Sequence, residues 1–149
     1  MQVPVPIRRQ GYRIAHRLLR SWWFIARPHT SGVKCVLTDG DRVLLVRHTY
    51  GNTEWDLPGG GIHKGEEPVE AARREMEEEL GVQLENPRPL GQISLRAYRA
   101  RDRIHCFHAE IGPADLTIDE GELAAASWFA RDEIPEEVGR YVFAVLGRI

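Results

Sequence analysis

Apolar residues recur along this chain at two spacings. Over residues 8–27, Ile14, Ala15, Leu18, Trp22 and Ile25 fall on one helical face, and Arg9, Arg13, Arg17, Arg20 and Arg27 on the other. The pattern predicts an amphipathic helix that Pro28 ends. Ahead of it, Val3-Pro4-Val5-Pro6 is expected to be extended. Runs rich in Val and Leu at 33–38 and 42–48 predict strands, with the hairpin signal Asp39-Gly40 between them. A loop over 49–56 leads into Leu57-Pro58-Gly59-Gly60-Gly61. Three glycines after a proline predict a tight backbone turn. Pro68 then opens a helix where proline is tolerated, and Gly81 stops it after Leu80 as a left-handed cap. Strands are predicted at 91–99 and 103–111, joined at 100–102, and again at 124–129. A last helix is predicted over 136–146. Antiparallel pairs around one central helix, with helices at both ends, predict an α+β chain: an α/β/α sandwich on a mixed sheet.

Composition adds bounds rather than chemistry. The length of 149 residues suits one domain, with 42% hydrophobic and 28% charged residues. The boundary is expected near residue 31, dividing an N-terminal arm and basic helix, 1–31, from a domain over 32–149. The formal net charge of −2 supplies no overall basic field for nucleic acid. The charge is unevenly spread, however. Residues 1–30 hold six arginines and no acid, leaving 14 basic and 22 acidic residues in the remainder, a net of −8. Cys35 and Cys106 each stand alone in apolar strand-like runs, which predicts buried free thiols and fits a reducing cytoplasm. No apolar run reaches the roughly 18 residues of a membrane span. The apolar stretch at 21–26 is also too short for the core of a signal peptide.

The central helix breaks two local rules. Glu75, Glu78 and Glu79, at i, i+3 and i+4, share one face, where like charges repel. Glu77, Glu78 and Glu79 also occupy the last turn, where the helix dipole disfavours anions. Conflicts of this kind are expected at functional sites. A hard divalent cation such as Mg2+ would remove them, since it takes oxygen ligands and leaves positions for phosphate and water. The alternative is a solvated acidic face, with Glu70 paired to Arg73 and Arg74, and Arg74 to Glu78. The preceding glycines favour the cation, because they let backbone approach a ligand closely.

The segment 60–82 resembles the box of the Nudix hydrolase (MutT-like) family. That pattern is Gly, five residues, Glu, seven residues, then Arg-Glu-aliphatic-any-Glu-Glu-any-Gly-aliphatic. Here Gly60 is followed by Glu66 and by Arg74-Glu75-Met76-Glu77-Glu78-Glu79-Leu80-Gly81-Val82, so every fixed position matches. Weaker resemblance runs from about residue 32 to 134; residues 1–31 lie outside the common pattern. The resemblance implies a Nudix-type sandwich and Mg2+-dependent attack of water on a phosphoanhydride, with Mn2+ as a substitute cation. It implies Glu75, Glu78, Glu79 and the carbonyl of Gly59 as metal ligands. Glu66, Arg74 and Gly60 would support them. Glu75 and Glu78 would also be catalytic, and the base that takes the proton from water would be Glu75 or an acid on the loop before the last core strand, here Glu122 or Glu120. Glu122 is preferred for its spacing to Trp128. A solvated acidic loop is the plain alternative for both.

The substrate is less legible. Arg47, Tyr50 and Tyr98 are the expected contacts. Trp55 is expected to pack beneath its loop. His105 and His108 would face opposite sides of a strand, which disfavours a metal pair. The expected substrate is a small-molecule nucleotide rather than nucleic acid: a nucleoside diphosphate-linked compound, first of all a nucleoside diphosphate sugar. Nucleoside triphosphates (including oxidised ones), dinucleoside polyphosphates and a non-catalytic nucleotide-binding module are the alternatives. Degenerate binding modules lose box glutamates, and this chain keeps them. For the basic arm, a membrane surface or RNA is weighed against packing on the domain or on a second copy. Packing, with homodimerisation through this helix, is the expectation.

Overall fold

The computed structural model describes residues 31–49, 53–97 and 100–149. The expected arm helix and homodimer contact therefore lie outside the described residues. A six-stranded mixed sheet forms the centre. Its strands are β1 (Ser31–Asp39), β2 (Arg42–His48), β3 (Gly59–Gly61), β4 (Arg88–Ala97), β5 (Ala100–Glu110) and β6 (Leu123–Ala130). They run in the order β4-β5-β1-β2-β6, with β3 pairing on β1. The β1–β5 pair is parallel and the others are antiparallel. Helix α1 (Pro68–Leu80) and helix α2 (Val142–Leu146) complete the fold.

Strands β1 and β2 are buried on both faces, which is why each reads as a nearly continuous apolar run. Alternation splits their side chains between two cores. Val33, Cys35, Leu37, Leu44 and Val46 pack with Ala72, Met76 and Leu80 of α1. Val36, Val43 and Leu45 pack with Val142, Val145 and Leu146 of α2. Each fully buried aliphatic side chain contributes roughly 1.5–3 kcal/mol. The expected sandwich is therefore present, with one helix on each face.

Helix α1 starts and stops where its end residues dictate. Proline occupies its first turn, after Glu67 in an extended conformation. Gly81 adopts φ 67°, and its N–H bonds the carbonyl of Glu77 while that of Val82 bonds Met76. The N–H groups of Thr117 and Asp119 then take the carbonyls of Leu80 and Glu79, at 2.8 and 2.9 Å. The loop before β6 is thus docked on the C-terminal end of α1.

Three expectations need correction. The glycines at 59–61 form strand β3 rather than a turn, in register with Gly32, Val33 and Lys34. They pair closely because they lack Cβ; one at Gly59 would stand 2.0 Å from the Val33 carbonyl oxygen. The β4–β5 hairpin is longer than expected, pairing as far as Ala97 with Ala100 and beginning at Arg88. A bulge between Pro89 and Gly91 lets it start early: Gly91 has φ 86°, and Arg148 covers the carbonyls of Leu90 and Gln92. The last helix is confined to Val142–Leu146. The residues before it are held elsewhere, with Val138 bridged to Trp55 and the Gly139 N–H bonded to the Trp55 carbonyl.

Candidate active site

The expected acidic face of α1 is not a solvated one. Glu75 and Glu79 are each only 2% exposed, and Glu78 is part-buried. Taking a carboxylate out of water costs several kcal/mol unless something compensates. For Glu75 the compensation is visible. Arg74 Nη1 donates to Glu75 Oε1 at 2.8 Å and approaches Glu78 Oε2 at 3.4 Å. Its other nitrogens form a fork on Glu66, at 2.8 and 2.9 Å, and Nη2 also reaches the carbonyl of Gly61 at 2.8 Å. One guanidinium therefore ties α1 to the loop ahead of it. The bond from Arg74 pulls the Glu66 carboxyl down to about 2, with the backbone N–H of His63 helping.

Strand β3 closes the other side. A Cβ on Gly60 would lie 2.4–2.6 Å from the carboxyl atoms of Glu75, so only glycine leaves that carboxylate its place. The ladder also orients the neighbouring carbonyls. Cys35 N–H donates to the Pro58 carbonyl and Ile62 N–H to the Ser31 carbonyl, both at 2.9 Å. Val33 opposite Gly60 is the bonded pair between them, and Gly59 and Gly61 are the alternating non-bonded positions. Their backbone groups therefore point away from β1, off the edge where Arg74 meets Gly61.

This constellation lies within the stretch matched by the NUDIX domain family model, residues 28–144. The chain belongs to the NUDIX family. Its NUDIX domain is 39% identical over 72 residues to an RNA pyrophosphohydrolase of Bartonella bacilliformis, covering 42% of each chain. It is 33% identical over 105 residues to an NAD-capped RNA hydrolase of Mycobacterium tuberculosis, covering 68% of this chain and 33% of the relative. The chain thus spans less than half the length of these curated relatives. A crystal structure of a MutT NUDIX hydrolase from Burkholderia pseudomallei matches with a TM-score of 0.74 at 24% identity, over 80% of this chain and 97% of that one. That likeness establishes the fold.

NUDIX hydrolases generally use divalent metals. The donor set here has the right chemistry: carboxylate oxygens from α1 and backbone carbonyls from β3, with no sulfur or imidazole among them. Among the described residues, no three His, Cys, Asp or Glu side chains are gathered as a ready cage. Arg74 holds two of the NUDIX carboxylates instead.

The remaining expected residues are placed as follows. Glu122 and Glu120 sit in the turn just before β6. The same loop bonds the end of α1 through Asp119, and Glu122 N–H bonds the Asp119 carbonyl at 3.0 Å. The loop carrying both acids is thus anchored at Glu79. Arg47 is exposed, with its guanidinium 4.6 Å from the centre of the Trp55 ring rather than beside the box. Trp55 packs edge-on against Phe129, as expected of a packing residue. Tyr50 and Tyr98 lie outside the described residues. His108 bonds Thr38, away from the NUDIX carboxylates. Sequence reasoning missed Lys34, Asp56 and Tyr141, which meet on the far face of β1. Lys34 was the available signal, as a charge set between the apolar Val33 and Cys35.

Proposed function

We propose that this chain is a Mg2+-dependent hydrolase that cleaves the phosphoanhydride of a nucleoside diphosphate-linked compound, with nucleoside diphosphate sugars as the first substrate class. One observation carries the reading. Two carboxylates of one helix, Glu75 and Glu79, are buried, and Glu75 lies against a strand without side chains, where a purely structural core would hold apolar residues. Glu75, Glu78, Glu79 and the Gly59 carbonyl would hold the cation, which when bound neutralises phosphate charge and makes water a better nucleophile. Mn2+ has the oxygen preference to substitute.

The protein's own part is orientation and proton transfer. Arg74 fixes Glu75 and Glu78 through charge-assisted bonds, and Glu66 fixes Arg74. Gly60 keeps β3 against Glu75. Glu122, on the loop docked to α1, is the preferred base for the attacking water, with Glu75 or Glu120 as the alternative. Arg47, Tyr50 and Tyr98 are the proposed substrate contacts outside the box.

The test is a panel of nucleotide sugars, nucleoside triphosphates, dinucleoside polyphosphates and 5′-triphosphorylated RNA, with products identified. RNA belongs in it because both curated relatives are named for RNA substrates. Sugar cleavage supports the substrate assignment, and exclusive RNA cleavage replaces it. Glu78→Gln is expected to lower turnover by about 100-fold or more, the scale of losing a preorganised charged group at the reacting centre. Mg2+-dependent turnover that survives this substitution would refute the metal assignment. No cleavage of any compound would leave a binding module.

A further inference from the structure

A second charged cluster lies behind the site. Lys34 alternates with Val33 and Cys35, which pack toward α1, so its side chain emerges on the α2 face of the sheet. There its ammonium donates to Asp56 Oδ2 at 2.9 Å and to the Leu57 carbonyl at 3.0 Å. Tyr141, just ahead of α2, donates its hydroxyl to Asp56 Oδ1. The Leu57 N–H donates to the same oxygen at 2.7 Å. One carboxylate thus gathers three donors from β1, from its own loop and from the C-terminal segment. A Cβ on Gly139 would come within 3.3 Å of that carboxylate, so the C-terminal segment also presses closely on it. Burial acts to lower the Lys34 pKa, but Tyr141 and Asp56 outweigh it and raise the net value, so the ammonium stays charged.

The reach of this cluster is specific. Lys34 stands opposite Gly59 in the β1–β3 register. Its side chain holds the carbonyl of Leu57, while the N–H of the next residue, Cys35, holds that of Pro58. Two consecutive carbonyls are therefore fixed by β1, and the third is the Gly59 carbonyl, which the ladder leaves pointing off the strand edge. A solvating role alone would not need the ammonium to reach a backbone oxygen two residues ahead of the box strand.

We infer that Lys34, Asp56 and Tyr141 are positioning residues that hold the Leu57–Gly59 backbone so that the Gly59 carbonyl is presented as a cation ligand. This rests on the proposed cation site. The cluster links the C-terminal segment to that site through one carboxylate.

The test is Mn2+ binding to the full chain, followed by electron paramagnetic resonance, for wild type, Lys34→Met, Tyr141→Phe and Glu78→Gln. Loss of an outer partner of a metal ligand lowers affinity by about 10–100-fold. Lys34→Met is expected in that range and Tyr141→Phe at its lower end. Excess Mg2+ is expected to restore wild-type turnover in both, which a general loosening of the fold would not allow. If Lys34→Met does not fold, Tyr141→Phe, which removes one hydroxyl, carries the test. Folded variants that bind Mn2+ as wild type does, while Glu78→Gln binds it weakly, overturn this inference alone. Unchanged binding in Glu78→Gln overturns the cation site and this inference with it.

Discussion

Replacing Gly60 with alanine adds one methyl group at the centre of the site. The new Cβ would sit 2.4 Å from Glu75 Cδ and 2.5–2.6 Å from its oxygens. Ordinary contact begins at 3.4 Å, so the carboxylate must retreat by about 1 Å, a displacement able to lower a rate ~100-fold. Retreat also strains the 2.8 Å bond from Arg74. Overpacking of this kind destabilises by about 1–3 kcal/mol. Two controls bracket the effect. Gly40→Ala meets no atom within 4 Å, and its φ of 60° brings only the strain of a left-handed residue, about 1 kcal/mol. Gly59→Ala collides with the Val33 backbone at 2.0 Å, which cannot rotate away, and is expected to break the β1–β3 pairing. The assay pairs urea unfolding with initial rates on the best substrate of the panel. Gly60→Ala is expected to be folded and about 100-fold slower, and Gly40→Ala to be folded and unchanged in rate. A Gly60→Ala enzyme with the wild-type rate would refute the reasoning. So would a rate lost only in proportion to unfolded protein.

Two further expectations concern the Arg74 network. Arg74 lowers the Glu66 carboxyl from its ordinary 4.5 to about 2, so its stabilising contribution is complete above 4.5 and is lost as pH falls toward 2. Urea midpoints of wild type and Glu66→Gln should therefore differ by a constant amount above about pH 5 and converge in strong acid; a gap that widens on acidification would contradict the sign. The second concerns chelation. Because Arg74 already bonds Glu75 and Glu78, removing divalent ions with a chelator is expected to leave a cooperative thermal unfolding transition, and a melt that vanishes would contradict it.

What could be read from sequence follows the range of the forces involved. Helix α1 was legible because its signals are local: Pro68 at the first turn, Gly81 at the cap, and glutamates at i, i+3 and i+4. The apolar runs located β1 and β2 to within a residue or two for the same reason. The segment 136–141 was misread as helix because its backbone is committed to Trp55, more than 80 positions earlier in the chain. Strand β3 was misread as a turn because glycines carry no periodicity, and only the approach of Val33 and Glu75 shows why they are there. The box glutamates and the supporting part of Arg74 were legible from spacing and resemblance, but its bonds to Gly61 and Glu66 needed the fold to bring those groups to it. The Lys34–Asp56–Tyr141 cluster joins residues 22 and 85 positions apart and leaves no local pattern.

The guanidinium of Arg74 has a consequence for the order of events in the life of this protein. Newly made chains whose charged sites await an ion depend on its supply to reach their native state. Here the counter-charge is covalently part of the chain and arrives with the helix that needs it. If the proposed cation site holds, maturation would not wait on metal supply, and occupancy would be a reversible exchange between a tethered cation and a diffusing one.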